Sequence, residues 1–323
     1  MKADSLVSLE RDNTPEEKLR NKIAILAKSV WKDRWGNESD TLTPWVQNFD
    51  EDEKNRALYM LSHFIYFDSE CIREMLVRSY EDFVRKPIIE SIRRQNGNTL
   101  NEELIETEYD NCLKRIRFLC LGNPSESSAM LLYFFRQENN LPMEQFISVD
   151  RLFEHKEEND KVVAILKSDD IDQIIVLDDF CASGSQAKEF SQKYVTYIKK
   201  QSTSIKVKYI ALVGTLRGKN IVEQQLFDKC DYCITLDNSY RVFSESARYF
   251  RGVSKIGCNK EDILSMCQTR GQYLNPNNPK GYKDGQLMIG FFHNTPNNTL
   301  PIFWSENRNW KPIFKRYNKK YSL

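Results

Sequence analysis

The sequence predicts an α/β protein with a mainly parallel, five-stranded sheet preceded by a helical subdomain. Between about Ile116 and Leu236, short apolar runs alternate with helix-like stretches, as in a parallel sheet joined by crossover helices. Before Arg117 only helical periodicity is found. Within the alternating region lies one chemically pointed segment, Ile174-Ile-Val-Leu-Asp178-Asp179, followed by Phe180-Cys-Ala182-Ser183-Gly184-Ser185-Gln186. It reads as a buried strand closed by two acids, then a small-residue turn, then a helix from Ala187 to Lys200.

The helical part starts at Thr14-Pro15-Glu16-Glu17, with an N-cap hydroxyl, Pro at the first helical position and acids in the first turn. Residues 1 to about 12 are polar and are read as disordered. Asp50–Phe67, Ser69–Lys86 and Asn101–Lys114 show helical spacing, with a Gln-Asn-Gly-Asn turn at 95–98. Residues 1–110 are therefore read as one helical subdomain. The expected strands follow at Ile116–Leu121, Gln145–Val149, Ile174–Leu177, Val207–Val213 and Tyr232–Leu236. Helices are expected at Met130–Phe135, Glu157–Lys167 and Ile221–Phe227. A strand order of 2-1-3-4-5 would put the first and third strands together at the switch point, where ligands bind.

A strand entering a small-residue turn at a helix N-terminus is an anion site, because first-turn N–H groups point outward there. Gly184 permits close approach of the backbone, and Ser183 and Ser185 add hydroxyl donors. Asp178 and Asp179 cannot serve a phosphate; they suit ribose hydroxyls or a Mg²⁺ ion beside it. Together they describe a site for a ribose 5-phosphate. The alternative is an acidic strand end in another doubly wound domain.

Two further loops would open on the same sheet edge. Gly122-Asn123-Pro-Ser125-Glu-Ser127-Ser128 follows the first strand and offers a glycine and three hydroxyls, or a plain capping turn. Val213-Gly-Thr-Leu-Arg217-Gly-Lys219 follows the fourth. There Arg217 could bind phosphate as a fork and Lys219 as a point charge, or the loop could be merely solvated.

The 178–186 segment resembles the PRPP-binding motif of type I phosphoribosyltransferases: an apolar strand, two acids and a Ser/Thr-Gly phosphate loop. Ala182 and Gln186 stand where hydroxyl residues are usual, and Phe180 and Cys181 are less regular than the usual small aliphatics. The resemblance implies that Asp178 and Asp179 hold the ribose diol and stabilise the cationic sugar, while Ala182–Gln186 hold the 5-phosphate. It implies that Gly122–Ser128 hold pyrophosphate, with Mg²⁺ carried by PRPP and no direct protein ligation. The family's mobile loop would fall at Asp150–Asp172, where no loop signature is found.

The C-terminal run from Leu287-Met-Ile-Gly-Phe-Phe292 through His293-Asn294-Thr-Pro-Asn297-Asn-Thr299 to Trp304 reads as a hairpin with an Asn-rich turn. It also resembles the C-terminal signature of phosphoribosyltransferase-like effectors of bacterial conflict and anti-phage systems, which places His293, Asn294 and Asn297 among candidate ligand residues. Residues 111–312 are then a phosphoribosyltransferase-like domain with a C-terminal hood that starts near Tyr240. The resemblance implies a toxic effector held by a defence-system partner protein until infection, with PRPP or a related nucleotide as ligand and a base, nucleotide or nucleic acid as acceptor. A non-catalytic PRPP- or nucleotide-binding regulatory module is the alternative.

Residues 313–323, with the preceding Arg308 and Trp310, alternate bases with aromatic rings. That suits single-stranded nucleic acid, but rings packed on the core under a solvated basic surface are the commoner outcome. The net charge of +1 argues against a chain that seeks polyanions overall. No apolar run approaches a membrane span, and Met-Lys-Ala-Asp-Ser is not a signal sequence. Eight cysteines without a framework are read as reduced thiols of a cytoplasmic protein. Cys230-Asp-Tyr-Cys233 is read as two structural thiols on a strand in preference to half of a zinc site. His63, His155 and His293 are too dispersed for a metal cluster.

Overall fold

The computed structural model describes residues 14–32, 38–122, 127–158, 161–167 and 169–317. The polar first dozen residues lie outside them. The strands among the described residues are β1 (Ile65–Phe67), β2 (Ile116–Cys120), β3 (Phe153–Glu158), β4 (Lys161–Leu166), β5 (Gln173–Cys181), β6 (Lys206–Thr215), β7 (Lys229–Leu236) and β8 (Ile289–Phe291). The chain forms two compact units, one of Met1–Ser69 with Asn238–Leu323, the other of Glu70–Asp237.

The 70–237 unit holds the main sheet, four parallel strands in the order β2-β5-β6-β7. Four of the five expected strands form, and β5 lies directly beside β2 as the switch-point order requires. The exception is Gln145–Val149. Pro142 leads into a 3₁₀ turn at Met143–Gln145, and only Phe146 reaches the sheet, as a single parallel bridge to Phe118. Gln145 is buried and its amide donates to the Leu113 carbonyl at 2.5 Å. That bond and the next 3₁₀ turn, Val149–Leu152, leave no room for a longer strand. The 2-1-3-4-5 arrangement survives with its second position reduced to one residue.

The helix expected at Glu157–Lys167 is instead an antiparallel hairpin, β3–β4, with Phe153 opposite Leu166. The Glu/Lys-rich sequence suits a helix locally, but tertiary contacts override it. Gln201 accepts from the Leu166 N–H at 2.7 Å, the Tyr197 hydroxyl donates to the Ala164 carbonyl at 2.6 Å, and the Phe153 and Tyr197 rings meet at 5.5 Å. The helix that grips this hairpin starts at the phosphate-loop candidate. It runs Ser185–Phe190, passes through a π turn at Ser191–Val195, and ends at Thr196–Gln201. Ile174 to Leu177 are fully buried on both sheet faces, as in parallel sheets covered by helices. Ile174, Val176, Val207, Tyr209 and Ala211 pack with Ala187, Phe190 and Val195 of that helix in one cluster. The Ser69–Tyr80 helix continues through a second π turn, Glu81–Arg85, into Lys86–Gln95. Gly97 and Asn98, both at positive φ, then turn the chain into Glu102–Lys114.

In the other unit, Thr14 caps the helix Pro15–Ser29 with a reciprocal capping box. The helix expected over Asp50–Phe67 covers only Lys54–Leu61, because Ile65–Phe67 is β1, paired in parallel with β8. The C-terminal run is thus not a local hairpin: β8 takes its partner from more than two hundred residues upstream. Trp31, Trp45, Phe64, Phe303 and Phe314 share one core. The indole N–H groups of Trp45 and Trp310 both donate to the Ile302 carbonyl, at 2.8 and 3.0 Å. The compact units therefore do not follow the boundaries at 110 and 312. Helices before Ser69 bury their apolar sides against the C-terminal aromatics, whereas those from Glu70 onward belong with the sheet. Trp310, Ile313 and Phe314 are buried, so the described rings of the basic tail are core residues, apart from the half-exposed Tyr317. No helix among the described residues is long and apolar enough to cross a membrane.

Candidate active site

β5 outruns β2. Pairing with β2 ends at Cys120–Leu177, and the Leu121 N–H still donates to the Leu177 carbonyl, whereas pairing with β6 continues to Cys181–Gly214. The acids thus stand where β2 has ended and Gly122, at φ 95°, leaves the sheet. The sheet brings Gly122 to the acidic end of β5, as the switch-point argument requires. Asn123 and Ser125 lie outside the described residues. Ser127 and Ser128 open the helix Ser127–Glu138.

The two acids are not equivalent. Asp178 is only 6% exposed. Its Oδ2 accepts from the Tyr209 hydroxyl at 2.5 Å, and its Oδ1 accepts from the Asp179 N–H at 3.0 Å. Burial, then the neighbouring Asp179 charge, push its carboxyl up to about 7. Asp179 is half-buried, and its Oδ1 accepts from the Phe180 N–H at 2.8 Å. No local sequence signal marks Tyr209 as part of the site. It lies 31 residues away on β6 and is fully buried, with its own ionisation pushed far up by burial and by Asp178.

Ala182–Gln186 form the expected turn. Gly184 has φ +69° and sits immediately before the helix. A Cβ there would lie 2.9 Å from the Gly218 carbonyl and 3.0 Å from Ile221, so both backbone conformation and packing demand glycine. The Ser183 and Ser185 hydroxyls meet at 2.9 Å. Gln186 is exposed in the first helical turn. Cys181 is buried below the turn; burial and then the Asp178 charge push its thiol up to about 11.

The segment after β6 is not an open loop. Thr215 ends β6 and caps the helix Leu216–Glu223 by accepting from the Gly218 N–H at 2.9 Å. Its hydroxyl also donates to the Ala182 carbonyl at 2.5 Å, tying this helix to the phosphate-loop candidate. A Cβ on Gly218 would meet the Cys181 and Ala182 carbonyls at 2.6 and 2.7 Å, and one on Gly214 would strike the Tyr232 ring at 2.1 Å. Gly214, Thr215 and Gly218 therefore shape the turn from outside it. Their one sequence signal is a glycine spacing of four across a strand-to-helix junction. Arg217 is exposed in the helix's first turn, and Lys219 lies 3.9 Å from Glu223, one turn on.

His293, Asn294 and Asn297 belong to the other unit. Asn294 Oδ1 accepts from the Thr295 and Tyr317 N–H groups, both at 2.9 Å, and the Asn297 carbonyl accepts from the Tyr282 N–H at 2.7 Å. The His293 ring stacks on Phe291 at 5.5 Å. Cys230 and Cys233 both lie on β7, and burial pushes each thiol up to about 12. Among the described residues, no three His, Cys, Asp or Glu side chains are grouped to hold a metal.

The family model PRTase-CE matches residues 42–316. No curated protein sequence matches the chain. Among solved structures, the xanthine-guanine-hypoxanthine phosphoribosyltransferase of Helicobacter pylori is similar at 10% identity and a TM-score of 0.28, over 54% of this chain and 92% of that one. The AQ2163 protein of Aquifex aeolicus is similar at 12% identity and 0.28, over 68% and 84%. A hypoxanthine phosphoribosyltransferase of Trypanosoma cruzi is similar at 14% identity and 0.26, over 55% and 79%. Scores this low carry no weight for fold or activity. The family match, which spans both compact units, does: the chain belongs to the PRTase-CE family of phosphoribosyltransferase-like proteins.

Proposed function

We propose that this chain binds Mg²⁺-PRPP at the end of β5 and transfers the phosphoribosyl group to a base, nucleotide or nucleic-acid acceptor. One observation carries the reading. A glycine-shaped turn with paired hydroxyls opens a helix directly after two acids, at the point where β2 ends. The 5-phosphate would sit on the first-turn N–H groups and on Ser183 and Ser185. The acidic end of β5 would serve the ribose, and Asp179 is the more exposed of its two acids. Gly122 and the residues that follow it would hold the pyrophosphate.

In the transfer, the bond between the sugar's anomeric carbon and pyrophosphate breaks, and an acceptor atom takes that carbon and loses its proton. Negative charge at that strand end would stabilise the positive charge that develops on the sugar. Half-buried Asp179 adjoins the turn, where a metal carried by the substrate would lie. Mg²⁺ carried by PRPP would neutralise the departing pyrophosphate. The interval that should hold a mobile loop carries the β3–β4 hairpin, tied down by Tyr197 and Gln201. The resemblance to conflict-system effectors adds a biological setting, a toxic activity restrained by a partner protein.

Pyrophosphate release from PRPP tests the reading, with Mg²⁺ present and cell extract as the source of acceptors. The wild-type chain should release pyrophosphate, and D179N should lose at least about a hundred-fold in rate. Equal release by D179N would reject the site. A second reading, a regulatory module that binds PRPP without chemistry, draws on the clamped Asp178 and on Gln186 in a hydroxyl position. PRPP binding with no release from any extract would select it.

A further inference from the structure

Asp178 and Asp179 are adjacent in sequence, yet they differ in what surrounds them. Asp178 is buried, whereas Asp179 is half-buried at the strand end. Asp178 is on the face of Val176, two residues before it, and of Tyr209, both of which pack with the helix that follows the turn. Both Asp178 oxygens already have partners within the protein: the Tyr209 hydroxyl at 2.5 Å and the Asp179 N–H at 3.0 Å. Tyr209 is itself fixed by the Phe227 and Tyr232 rings, with centroids 5.4 and 6.0 Å away. A carboxylate with so little exposure and two occupied oxygens is poorly suited to receive a sugar diol. It is well suited to hold its neighbour's backbone.

We propose that Asp178 and Tyr209 form a positioning pair beneath the ribose site, in which the Tyr209 hydroxyl orients the Asp178 carboxyl and that carboxyl fixes the Asp179 amide, so that Asp179 alone meets the ribose diol. The inference rests on the ribose 5-phosphate reading of the site and narrows its recognition to one carboxylate. Asp178 faces Asp179 on its own strand, Cys181 below the turn, Tyr209 on β6 and Tyr232 on β7.

Calorimetry on the full chain tests this, with ribose 5-phosphate and 2-deoxyribose 5-phosphate as probes and the ratio of their affinities as the readout. D179N should bind both sugars equally. D178N should keep the wild-type ratio, since asparagine retains an oxygen for the Asp179 N–H and an amide facing the tyrosine oxygen. Y209F and D178A should lose about three- to ten-fold of the ratio, the scale of one hydrogen bond. If D178A does not fold, Y209F and D178N carry the comparison.

Equal loss of the ratio in D178N and D179N would overturn the positioning role, as would an unchanged ratio in Y209F. Failure of the wild-type chain to bind either sugar phosphate would remove the ribose reading itself, a result distinct from the others.

Discussion

Two polar runs that follow apolar strands, Ala182–Gln186 after β5 and residues 293–299 after β8, look alike as sequence and are built on opposite principles. In 293–299 the side chains hold the main chain. Asn294 takes two backbone N–H groups, the Asn298 amide donates to the Tyr282 carbonyl at 2.9 Å, and Thr299 donates to the Ile289 carbonyl at 2.7 Å. In Ala182–Gln186 the backbone is shaped from elsewhere, by Thr215 and by the close approach of Gly184 to Gly218. The two serines there meet each other. Side chains bonded to their own backbone make a scaffold. A turn shaped from outside leaves hydroxyls that can exchange their partner for a ligand.

The largest expected effect falls on the scaffold side. Phe314 is 2% exposed and stacks on Phe64 at 4.2 Å, with Trp31 and Tyr66 each at 5.4 Å. F314A should cost about 3–5 kcal/mol in urea denaturation, the range for an aromatic truncated in a core. A loss under about 1 kcal/mol would return the tail's rings to the surface role that its alternating sequence first suggests.

G184V tests the other side. It places a β-branched residue at φ +69° and a Cβ within 3.0 Å of two neighbours. The backbone strain alone costs about 1–3 kcal/mol, and ribose 5-phosphate binding should be lost. Gly97 separates strain from packing, since it has φ +63° with nothing within 4 Å of an added Cβ. G97A should cost about 1 kcal/mol and leave binding unchanged. Melting temperature and calorimetry read both, and wild-type binding by G184V would remove the cradle from the site.

Legibility followed the distance over which each feature is determined. The apolar runs at 116–121, 174–177, 207–213 and 232–236 specify buried strands by themselves, and all four form. The acids, the glycine turn and the helix after them are equally local. β1 is three residues long and exists because β8 lies beside it, so nothing near Ile65 announces a strand. The β3–β4 hairpin depends on Tyr197 and Gln201, some thirty residues on. The unequal surroundings of Asp178 and Asp179 are legible only once Tyr209 is known to lie two positions back on the neighbouring strand. In each case a local pattern was present and a distant partner decided what it became.

The finest comparison is between single polar side chains in the two runs. N294A removes an oxygen that accepts two backbone N–H groups and so secures the segment at Tyr317. It should cost about 1–2 kcal/mol of stability, one or two net hydrogen bonds, with no change in sugar phosphate affinity. S183A removes a hydroxyl whose partner is another hydroxyl, on the half-buried Ser185. Its stability cost should stay within about 0.5 kcal/mol, as for substitutions away from a core. Its effect should fall on phosphate affinity, weakened by about 0.5–1.5 kcal/mol for one lost donor. Calorimetry with ribose 5-phosphate and urea denaturation of both variants gives a two-by-two result. If S183A loses stability and keeps affinity, as N294A should, then Ala182–Gln186 is a scaffold of the same kind as 293–299 and the distinction between the two runs collapses.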